Sequence, residues 1–469
     1  MSDLSRLTAT ELVAGYRRGD FSPVEATQAA LDAIDAHDAQ VNAFVLVDRE
    51  GALASAAESR ERWQAGAGLG AADGVPTPVK DIFLTKGWPT LRGSDLIDEA
   101  GPWPEDAPSV ARLRKSGAVL IGKTTTPEFA WKGVTDSIRH GATSNPWDAS
   151  LTAGGSSGGS AAAIGLGMGA WSVGTDGGGS VRIPAAFTGT VALKPTFGLI
   201  ALFPASPFGT LSHAGPMTRS VTDAATMLDV MSGYDARDWS AMPTPRPAFL
   251  ADLDGGVAGL RVAYSPTLGY GHNDPEVEAA VRAAVSVLAD VGARVEEVDP
   301  GFGDPVEAFE SLWAAGVAKV LEQYGDDALV RIDPGLRTFV ELGRTLSASQ
   351  FLDATAVRMD LGHRMGLFHE HYDVLVTPAV PIPAFPVGQD VPDGWPSQRW
   401  TSWTPYSYPF NMTQQPALSV PCGFTSTGLP VGLQIVGARH ADALVLGAGR
   451  AYEHATDWGG RFPDPRREP

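Results

Sequence analysis

Two glycine-rich segments of the chain hold serine residues whose hydroxyl groups could act as nucleophiles. The segment "TAGGSSGGSAAA" runs from Thr152 to Ala163 and contains Ser156, and "GTDGGGSVRIPAAFTG" begins at Gly174 and contains Ser180. A run of glycine and serine alone is typical of a flexible linker. A serine hydroxyl, however, can attack a carbonyl carbon when a neighbouring base removes its proton. The surrounding sequence decides between a tether and a site.

Ser156 also lies in a Gly-x-Ser-x-Gly pattern, which is typical of α/β-hydrolase esterases. In those enzymes the pattern follows a buried strand, and an aspartate and a later histidine complete the site. Here the preceding "SNPWDASLTA" has turn character. No motif singles out any of the downstream histidines, which are His213, His272, His363, His369, His371, His440 and His454. An esterase with Ser156 as its nucleophile is therefore the weaker alternative.

Two further matches suggest ligand sites but lack the structural context that such sites need. "GAVLIGKT" (117–124) fits the phosphate-loop pattern, yet its Ala-Val-Leu-Ile run predicts a buried strand rather than a loop around an anion. Lys123 is then an ordinary residue at the end of a strand. "FHEHYD" groups His369 with His371, but two histidines so spaced diverge on a helix and no third ligand is near. Neither a nucleotide site nor a metal site is predicted.

Lys80, in the apolar segment "PTPVKDIF", completes a pattern with both glycine-rich segments. Together with "TVALKPTFG", "HAGPMTRSV" and "PALSVPCGF…GLPVGLQIVG", these segments resemble the amidase signature family over most of the chain. Members of that family are serine hydrolases that use a Ser-Ser-Lys triad instead of Ser-His-Asp. The resemblance implies that Ser180 is the nucleophile, Ser156 the bridging serine and Lys80 the general base.

The types of these residues suit the roles that the resemblance implies. A lysine can accept a proton only when neutral, and a desolvated site lowers its pKa. The rigid, apolar, strand-like "PTPVKDIF" offers such a setting, with Lys80 and Asp81 on opposite faces. Ser156 would relay the proton from Ser180 to Lys80 and later return it to the departing amine. The glycines around Ser156 permit the unusual backbone pose that a relay needs.

The glycines before Ser180 are predicted to form an oxyanion hole. Consecutive backbone N–H groups of Gly177, Gly178 and Gly179 could point at the oxygen of a tetrahedral intermediate. The family usually carries a larger residue, often threonine, at the position of Gly177. Three further residues are predicted to support the site: Asp176 and Arg182 as an ion pair that holds the loop, and Ser157 in a structural role.

The reaction that this resemblance implies is acyl transfer to water through a seryl acyl-enzyme, releasing a carboxylic acid and ammonia or an amine. No metal or organic cofactor is implied. The substrate would be a small-molecule amide, with apolar or aryl acylamides favoured. A carbamate or nylon-oligomer hydrolase is the alternative on the same triad. A glutaminase component of a tRNA-dependent amidotransferase is less favoured, because "TLSHAGPMTRS" stands where such components usually have "SSLDQIGP".

Aromatic residues crowd two parts of the sequence and could line a substrate pocket. Trp88, Phe129 and Trp131 lie near the predicted catalytic strands, and a Pro-rich loop holds Trp395, Trp400, Trp403, Tyr406, Tyr408 and Phe410. If they line the pocket, they favour an apolar or aromatic substrate. Packing of a lid or the core is an equally good explanation for them.

Composition excludes several classes of partner. The chain has 469 residues, 43% of them hydrophobic, and a formal net charge of −19, which disfavours nucleic acid and anionic membranes. Cys422 is the single cysteine, so no intramolecular disulfide can form, and a cytoplasmic location is expected. No apolar stretch reaches the roughly 18 residues of a membrane span. The sequence leaves a homodimer open.

Strands that alternate with helices predict one large α/β domain with a central sheet between helical layers. The resemblance adds that this sheet is mixed. Within the domain (1–469) we expect N-terminal helices at 1–65, a catalytic core at 74–235, strands plus a helical region at 259–380, and a Trp/Pro-rich loop with closing strands at 381–469. Local patterns predict Ser22 as a helix N-cap with Glu25 in its capping box, continuous helix to about residue 62, and strands at 118–121, 259–266 and 373–380.

Overall fold

The structure is a computed structural model that describes residues 3–243 and 249–463. Its strands are, in chain order, β1 Phe44–Val47, β2 Pro76–Lys80, β3 Val119–Thr124, β4 Asp136–Ser137, β5 Gly141–Ala142, β6 Ser172–Asp176, β7 Val191–Lys194, β8 His213–Thr218, β9 Arg261–Tyr264, β10 Arg294–Glu297, β11 Val374–Pro378, β12 Ala417–Phe424 and β13 Pro430–Gly437. Its α-helices are α1 Ala9–Arg18, α2 Pro23–Val41, α3 Arg49–Gln64, α4 Pro108–Lys115, α5 Gly158–Gly165, α6 Arg182–Thr188, α7 Val221–Met231, α8 Pro275–Asp290, α9 Val306–Glu322, α10 Pro334–Thr345, α11 Ala348–His371, α12 Pro409–Met412 and α13 Asp442–His454.

Eleven of these strands form one mixed sheet in the order β1-β3-β2-β6-β8-β7-β12-β13-β11-β9-β10. Parallel pairs lie towards both ends, namely β2 with β3 and β6, and β9 with β10 and β11. Antiparallel pairs from β6 through β8, β7, β12 and β13 to β11 fill the middle. β4 and β5 pair separately as a short two-stranded sheet.

Alternate residues of single strands belong to different hydrophobic clusters, so both faces of the sheet are buried. On β7, Val191 and Leu193 pack into the largest cluster, with residues of α7, α8 and α13. Ala192 between them packs with residues of α5 and α6. Since successive side chains of a strand point to opposite faces, helices cover the two sides of the sheet. This arrangement confirms the predicted α/β fold with a mixed central sheet.

The local predictions hold at the helix caps and fail where the sequence was read as continuous helix. Ser22 caps α2 in a capping box with Glu25, and Pro23 is its first residue. The prediction of helix through residue 62 is wrong, because α2 ends at Val41 and β1 intervenes before α3. The four-residue "FVLV" is short, and its pairing with β3 stabilises it as an edge strand.

One further expectation differs in detail from the structure. The Pro-rich segment that holds Trp395 to Phe410 was predicted as a loop, but most of 400–412 is buried, and the segment includes a 3₁₀ helix at Trp400–Trp403. Cys422, on β12, is buried as a small apolar residue. Among the described residues, no helix combines the length and the apolar character that crossing a bilayer requires.

Candidate active site

Lys80 is the last residue of β2, a strand whose five residues are all buried. The register places Val79 opposite Val173 of β6, so the lysine lies beside the end of the strand that leads to Ser180. Its Nζ atom is hydrogen-bonded to three hydroxyl groups: Ser156 Oγ at 2.7 Å, Ser157 Oγ at 2.9 Å and Thr175 Oγ1 at 2.8 Å. No carboxylate is among these partners.

The surroundings of Lys80 favour a neutral amine. Burial lowers the pKa of Lys80 well below its ordinary value, and the negative charge of Asp176 opposes this by less. A neutral amine has two N–H bonds and one lone pair, so one of the three hydroxyls must donate to it. The Ser157 hydroxyl donates to the carbonyl oxygen of Thr175, at 3.2 Å, and therefore only accepts from Lys80. The donor is Ser156 or Thr175.

Ser156 lies in an ordered loop immediately before α5. A β-carbon on the preceding Gly155 would lie 2.4 Å from the carbonyl carbon of Val134, so only glycine fits there. Gly154 has φ of 74°, a value that L-residues rarely adopt. The Gly155–Ser156 peptide bond is cis. Because residues 152–165 are buried and closely packed, the segment is not a flexible linker.

Ser180 follows β6 and lies against the same loop. The backbone N–H of Ser157 donates to the carbonyl oxygen of Ser180 at 3.1 Å, which joins the two glycine-rich segments. Ser180 is 6% exposed, whereas Ser156 is fully buried, and both border one cavity together with Thr175 and Gly177. The more accessible hydroxyl is thus that of Ser180.

The carboxylate of Asp176 holds the glycine loop, residues 177–179, in place. It accepts the backbone N–H of Gly179 at 2.7 Å and that of Val181 at 3.3 Å. Arg182 donates to it through Nε at 2.9 Å and Nη2 at 3.0 Å, and both side chains are fully buried. Burial alone raises the pKa of Asp176, but the charge and hydrogen bonds of Arg182 outweigh it and keep the carboxyl ionised. The expected Asp176–Arg182 pair is present.

A second set of buried polar groups secures this ion pair. The Asn411 amide donates to Asp176 Oδ1 at 2.8 Å and accepts from Arg182 at 2.7 Å. Arg182 also donates to Gln434 Oε1 at 2.7 Å and to the carbonyl oxygen of Ser407 at 3.0 Å. These partners lie on α12, β13 and the loop before α12, so the position of the loop depends on distant parts of the chain.

The predicted oxyanion donors need one correction. The Gly179 N–H already donates to Asp176, so it is not available to a substrate oxygen, and φ of 120° explains why glycine is needed there. Within residues 3–243 and 249–463, the N–H groups of Gly177, Gly178 and Ser180 have no intramolecular acceptor. Unpaired N–H groups beside a nucleophile suit stabilisation of a developing oxyanion.

The two other motifs, "GAVLIGKT" and "FHEHYD", overlap a strand and a helix. "GAVLIGKT" contains the buried strand β3, and Lys123 lies one residue before the end of that strand, as expected. Its Nζ donates to the carbonyl oxygen of Phe83 at 2.8 Å and lies 3.2 Å from Asp81 Oδ1. Burial lowers the pKa of Lys123 to about 8. In the described chain no three potential metal ligands cluster, those of "FHEHYD" included.

The histidine that an α/β-hydrolase would need is not hydrogen-bonded to either serine. His213 borders the cavity, but its Nδ1 is 2.8 Å from the carbonyl oxygen of Leu211. Burial lowers the pKa of His213 well below its ordinary value. Ser156 has its hydrogen-bond partner in Lys80 instead.

The cavity beside Ser180 has a volume of about 120 Å³ and a mainly apolar wall. Phe129, of the predicted aromatic residues, borders it; Trp88, Trp131 and those of the Pro-rich loop do not. The loop residues pack in the core, as Trp403 does against Phe187 at a ring distance of 5.9 Å. The wall comprises Ile82, Phe83, Arg92, Phe129, Ala130, Leu202, Phe203, Pro204, Ala205, Ser206, Pro207, Phe208, Ser212, His213, Trp313 and Val320, besides the site residues.

Sequence reasoning missed Thr175 and Asn411. Thr175 stands next to Asp176 in the glycine-rich segment, and its contact with Lys80 follows from the pairing of β2 with β6, which no local pattern reveals. Asn411 belongs to a distant Pro-rich segment without a recognisable motif. Only the fold brings these residues to the site.

A family model described as "Amidase" matches residues 25–446. An acylamidase from Rhodococcus erythropolis is 38% identical over 478 residues, covering 98% of both chains. The chain belongs to the amidase family. The resemblance inferred from the motifs is thereby confirmed, and this amidase is a hydrolase that acts on amide C–N bonds.

Other relatives of this amidase carry different names. A glutamyl-tRNA(Gln) amidotransferase subunit from Chloroflexus aggregans is 36% identical over 496 residues, covering 100% of both chains. A solved bacterial aryl acylamidase of the amidase signature family superposes with a TM-score of 0.91 at 28% identity, covering 99% of both chains. The fold is shared over the whole length, so the site itself must decide the substrate.

Proposed function

We propose that this amidase hydrolyses small apolar or aryl acylamides through a seryl acyl-enzyme, with Ser180 as nucleophile, Ser156 as proton relay and Lys80 as general base. The observation that carries the proposal is the buried Lys80 Nζ, 2.7 Å from Ser156 Oγ and without a carboxylate among its hydrogen-bond partners. Such an amine can exist neutral and accept a proton. A carboxylate in contact with the amine would favour its charged form instead.

In the first half of the reaction Ser180 Oγ forms a bond to the substrate carbonyl carbon. Its proton passes to Ser156, whose own proton passes to Lys80. The carbonyl oxygen becomes an oxyanion and accepts the free N–H groups of Gly177, Gly178 and Ser180. The C–N bond then breaks as the leaving nitrogen receives a proton back through Ser156, and an acyl-Ser180 ester remains.

In the second half, water attacks the ester carbon and gives its proton to the same relay. The bond between the carbonyl carbon and Ser180 Oγ breaks, Ser180 regains its proton, and the carboxylic acid leaves. Lys80 thus acts as base and then as acid in each half. A lysine whose pKa is lowered from its ordinary value by burial suits both tasks.

The wall of the cavity supports an apolar acylamide. Arg92 is the one charged residue of the described cavity wall, and no carboxylate lies there. Free glutamine carries an ammonium group that would have no partner, at a cost if buried. The names of two relatives, an acylamidase and an aryl acylamidase, agree with this substrate class. The same triad could cleave a carbamate, whose C–N bond is attacked in the same way.

A glutaminase is the second candidate, because the glutamyl-tRNA(Gln) amidotransferase relative is 36% identical over the full length. Turnover of acetamide, benzamide, nitroacetanilide, a carbamate and glutamine separates the candidates. We expect the highest kcat/KM with the anilide or benzamide. Glutamine as the best substrate of the isolated protein would reject the acylamide proposal.

Labelling with a fluorophosphonate tests the nucleophile. We expect a covalent adduct on Ser180, identified by peptide mass spectrometry, and no adduct in Ser180→Ala. Ser156→Ala should retain slow labelling, since it keeps the nucleophile and loses only the relay. An adduct on Ser156 in the unsubstituted protein would instead support the α/β-hydrolase-type alternative.

A further inference from the structure

Trp313 is the bulkiest side chain of the cavity wall, and three neighbours fix its indole ring. It lies on α9 and stacks on Phe208 with a centroid distance of 4.1 Å and an interplanar angle of 23°. Phe309, one turn earlier on α9, lies 5.4 Å away at 25°. The indole Nε1 donates to the carbonyl oxygen of Trp131 at 3.0 Å. A ring held by two stacked rings and a hydrogen bond cannot move aside cheaply.

This ring lies directly against the glycine loop that precedes Ser180. A β-carbon added to Gly177 would lie 2.8 Å from Cζ3 of Trp313. The φ of Gly177 is not positive, so backbone conformation does not require glycine there. Glycine is required because the indole of Trp313 occupies the space that a β-carbon would need. Gly177 and Trp313 are therefore complementary parts of one surface beside the reacting carbonyl.

The chemistry assigns that surface to one half of the substrate. The leaving nitrogen must take its proton from Ser156, so the amine half lies towards Ser156 and Lys80. Ile82 and Phe83 follow Lys80 closely in the chain and border the cavity, so their side of it is assigned to the amine half. Phe83 and Trp313, which both border the cavity, pack in different hydrophobic clusters. The acyl half, bonded to the same carbon, extends towards Gly177 and Trp313.

We infer that Trp313, seated on Gly177, is the residue that limits the length of the acyl group that this amidase accepts. The inference rests on the proposed acyl-enzyme reaction. Short or flat acyl groups pack against the indole face, whereas longer chains collide with it. Phe208 continues the same wall, so a chain cannot pass between the two stacked rings.

Two series of amides test this inference. In the first, the acyl group grows from acetyl to octanoyl on a constant nitroaniline. In the second, a constant acetyl group is joined to amines of growing size. We expect Trp313→Leu to raise the octanoyl-to-acetyl ratio of kcat/KM about tenfold or more, because it removes a ring's volume from the wall. The amine series should change by less than about twofold, within the error of such comparisons.

Ile82→Ala is the matched control, since Ile82 borders the same cavity on the side assigned to the amine. We expect Ile82→Ala to change the relative kcat/KM values within the amine series. The order of kcat/KM values within the acyl series should stay as in the wild type. Trp313→Phe retains a ring for stacking and is a second test in case the leucine variant does not fold. It should raise the octanoyl-to-acetyl ratio of kcat/KM by a smaller factor. Thermal unfolding of each variant shows that it is folded.

A double-mutant cycle tests the contact itself. Gly177→Ala should lower kcat/KM for the acetanilide by about a hundredfold, because displacement beside the reacting atoms is costly. In the Trp313→Leu background the same substitution should cost less than about tenfold, since the ring it meets is gone. Equal costs in both backgrounds would show that the two residues do not interact.

The outcomes separate this inference from the proposed function. An active amidase whose acyl-length profile is the same in wild type, Trp313→Leu and Trp313→Phe would overturn the assignment of Trp313 and leave the amidase reaction intact. A shift in the amine series instead of the acyl series would overturn it as well. Absence of any amide turnover by folded wild-type protein would overturn the proposed function itself.

Discussion

At the scale of single residues, the site depends on how three hydroxyl groups surround one buried amine. Each of Ser156, Ser157 and Thr175 offers an oxygen to Lys80 at 2.7 to 2.9 Å. These bonds replace part of the hydration that burial removes, but without a carboxylate they do not restore a full charge. Lys80 is thereby poised to exchange a proton with Ser156.

Replacing Lys80 by methionine should lower kcat/KM about 10²- to 10⁴-fold, the range of a positioned acid–base group. Wild-type kcat/KM should rise with pH through the lowered pKa of Lys80 and level off above it, because only the neutral amine accepts the proton. Lys80→Arg should be as inactive as Lys80→Met, since the guanidinium stays charged. A Lys80→Met variant with the same pH profile and near-normal rate would contradict the role of Lys80.

Thr175→Val tests a contact that sequence reasoning missed. Removing a hydroxyl that accepts from Lys80 takes stabilisation away from the ammonium form, so the pKa of Lys80 falls further. We expect the acidic limb of the kcat/KM profile to move to lower pH and the plateau to fall about tenfold, as loss of one hydrogen bond to a charged group allows. Thr175→Ser, which keeps the hydroxyl, should restore the original limb. An unmoved limb in Thr175→Val would leave Thr175 with a packing role only.

At the scale of elements, the site forms where β2, β6 and the loop before α5 meet. The sequence allowed each segment to be recognised: the Pro-bounded run as a strand, the capping box of Ser22 as a helix start, and the two glycine runs as loops of a candidate site. It could not show that β2 lies beside β6, because 91 residues lie between Lys80, the last residue of β2, and Ser172, the first of β6, and the pairing is fixed only when the sheet forms. The short strand β1 was not predicted for a similar reason, because its partner β3 is distant in the sequence.

Asn411 is hydrogen-bonded to Asp176 and Arg182, and this group, here called the clamp, holds the loop Gly177–Gly179. Asn411→Ala removes hydrogen bonds to Asp176 and Arg182 and leaves buried groups unpaired. We expect a loss of about 1–3 kcal/mol in the free energy of unfolding for each such group, and a fall in kcat about tenfold or more, because the oxyanion donors lose their support.

Asn273→Ala is the control for that change. Asn273 accepts a hydrogen bond from the hydroxyl of Tyr406 at 2.7 Å and has no contact with Asp176 or Arg182. We expect it to reduce stability and leave kcat within about twofold, an effect of distant sites that act independently. If both variants lose stability and keep kcat, the clamp does not position the donors.

At the scale of the whole molecule, buried charges join segments that are far apart in the chain. The fold class could be predicted from alternating strands and helices, but these long-range links could not. Lys132 is buried, and its Nζ lies 2.5 Å from Asp136, 3.0 Å from Asp333 and 2.7 Å from Asp390. Burial lowers the pKa of Lys132, but the three carboxylates outweigh it and raise the pKa above its ordinary value. One charge thus fastens β4, the start of α10 and the loop before α12.

Lys132→Met should lower the free energy of unfolding by about 3–5 kcal/mol at pH 7, because it leaves buried carboxylates without a counter-charge. Burial raises the pKa of Asp136, so acid protonates this carboxyl early and relieves the unpaired charge. The difference from wild type should therefore shrink as pH falls towards 4, measured by denaturant unfolding at several pH values. Lys319→Met, which breaks an exposed pair with Glu322, should cost at most about 1 kcal/mol. Equal effects of the two substitutions would show that the cluster around Lys132 contributes no more than a surface ion pair.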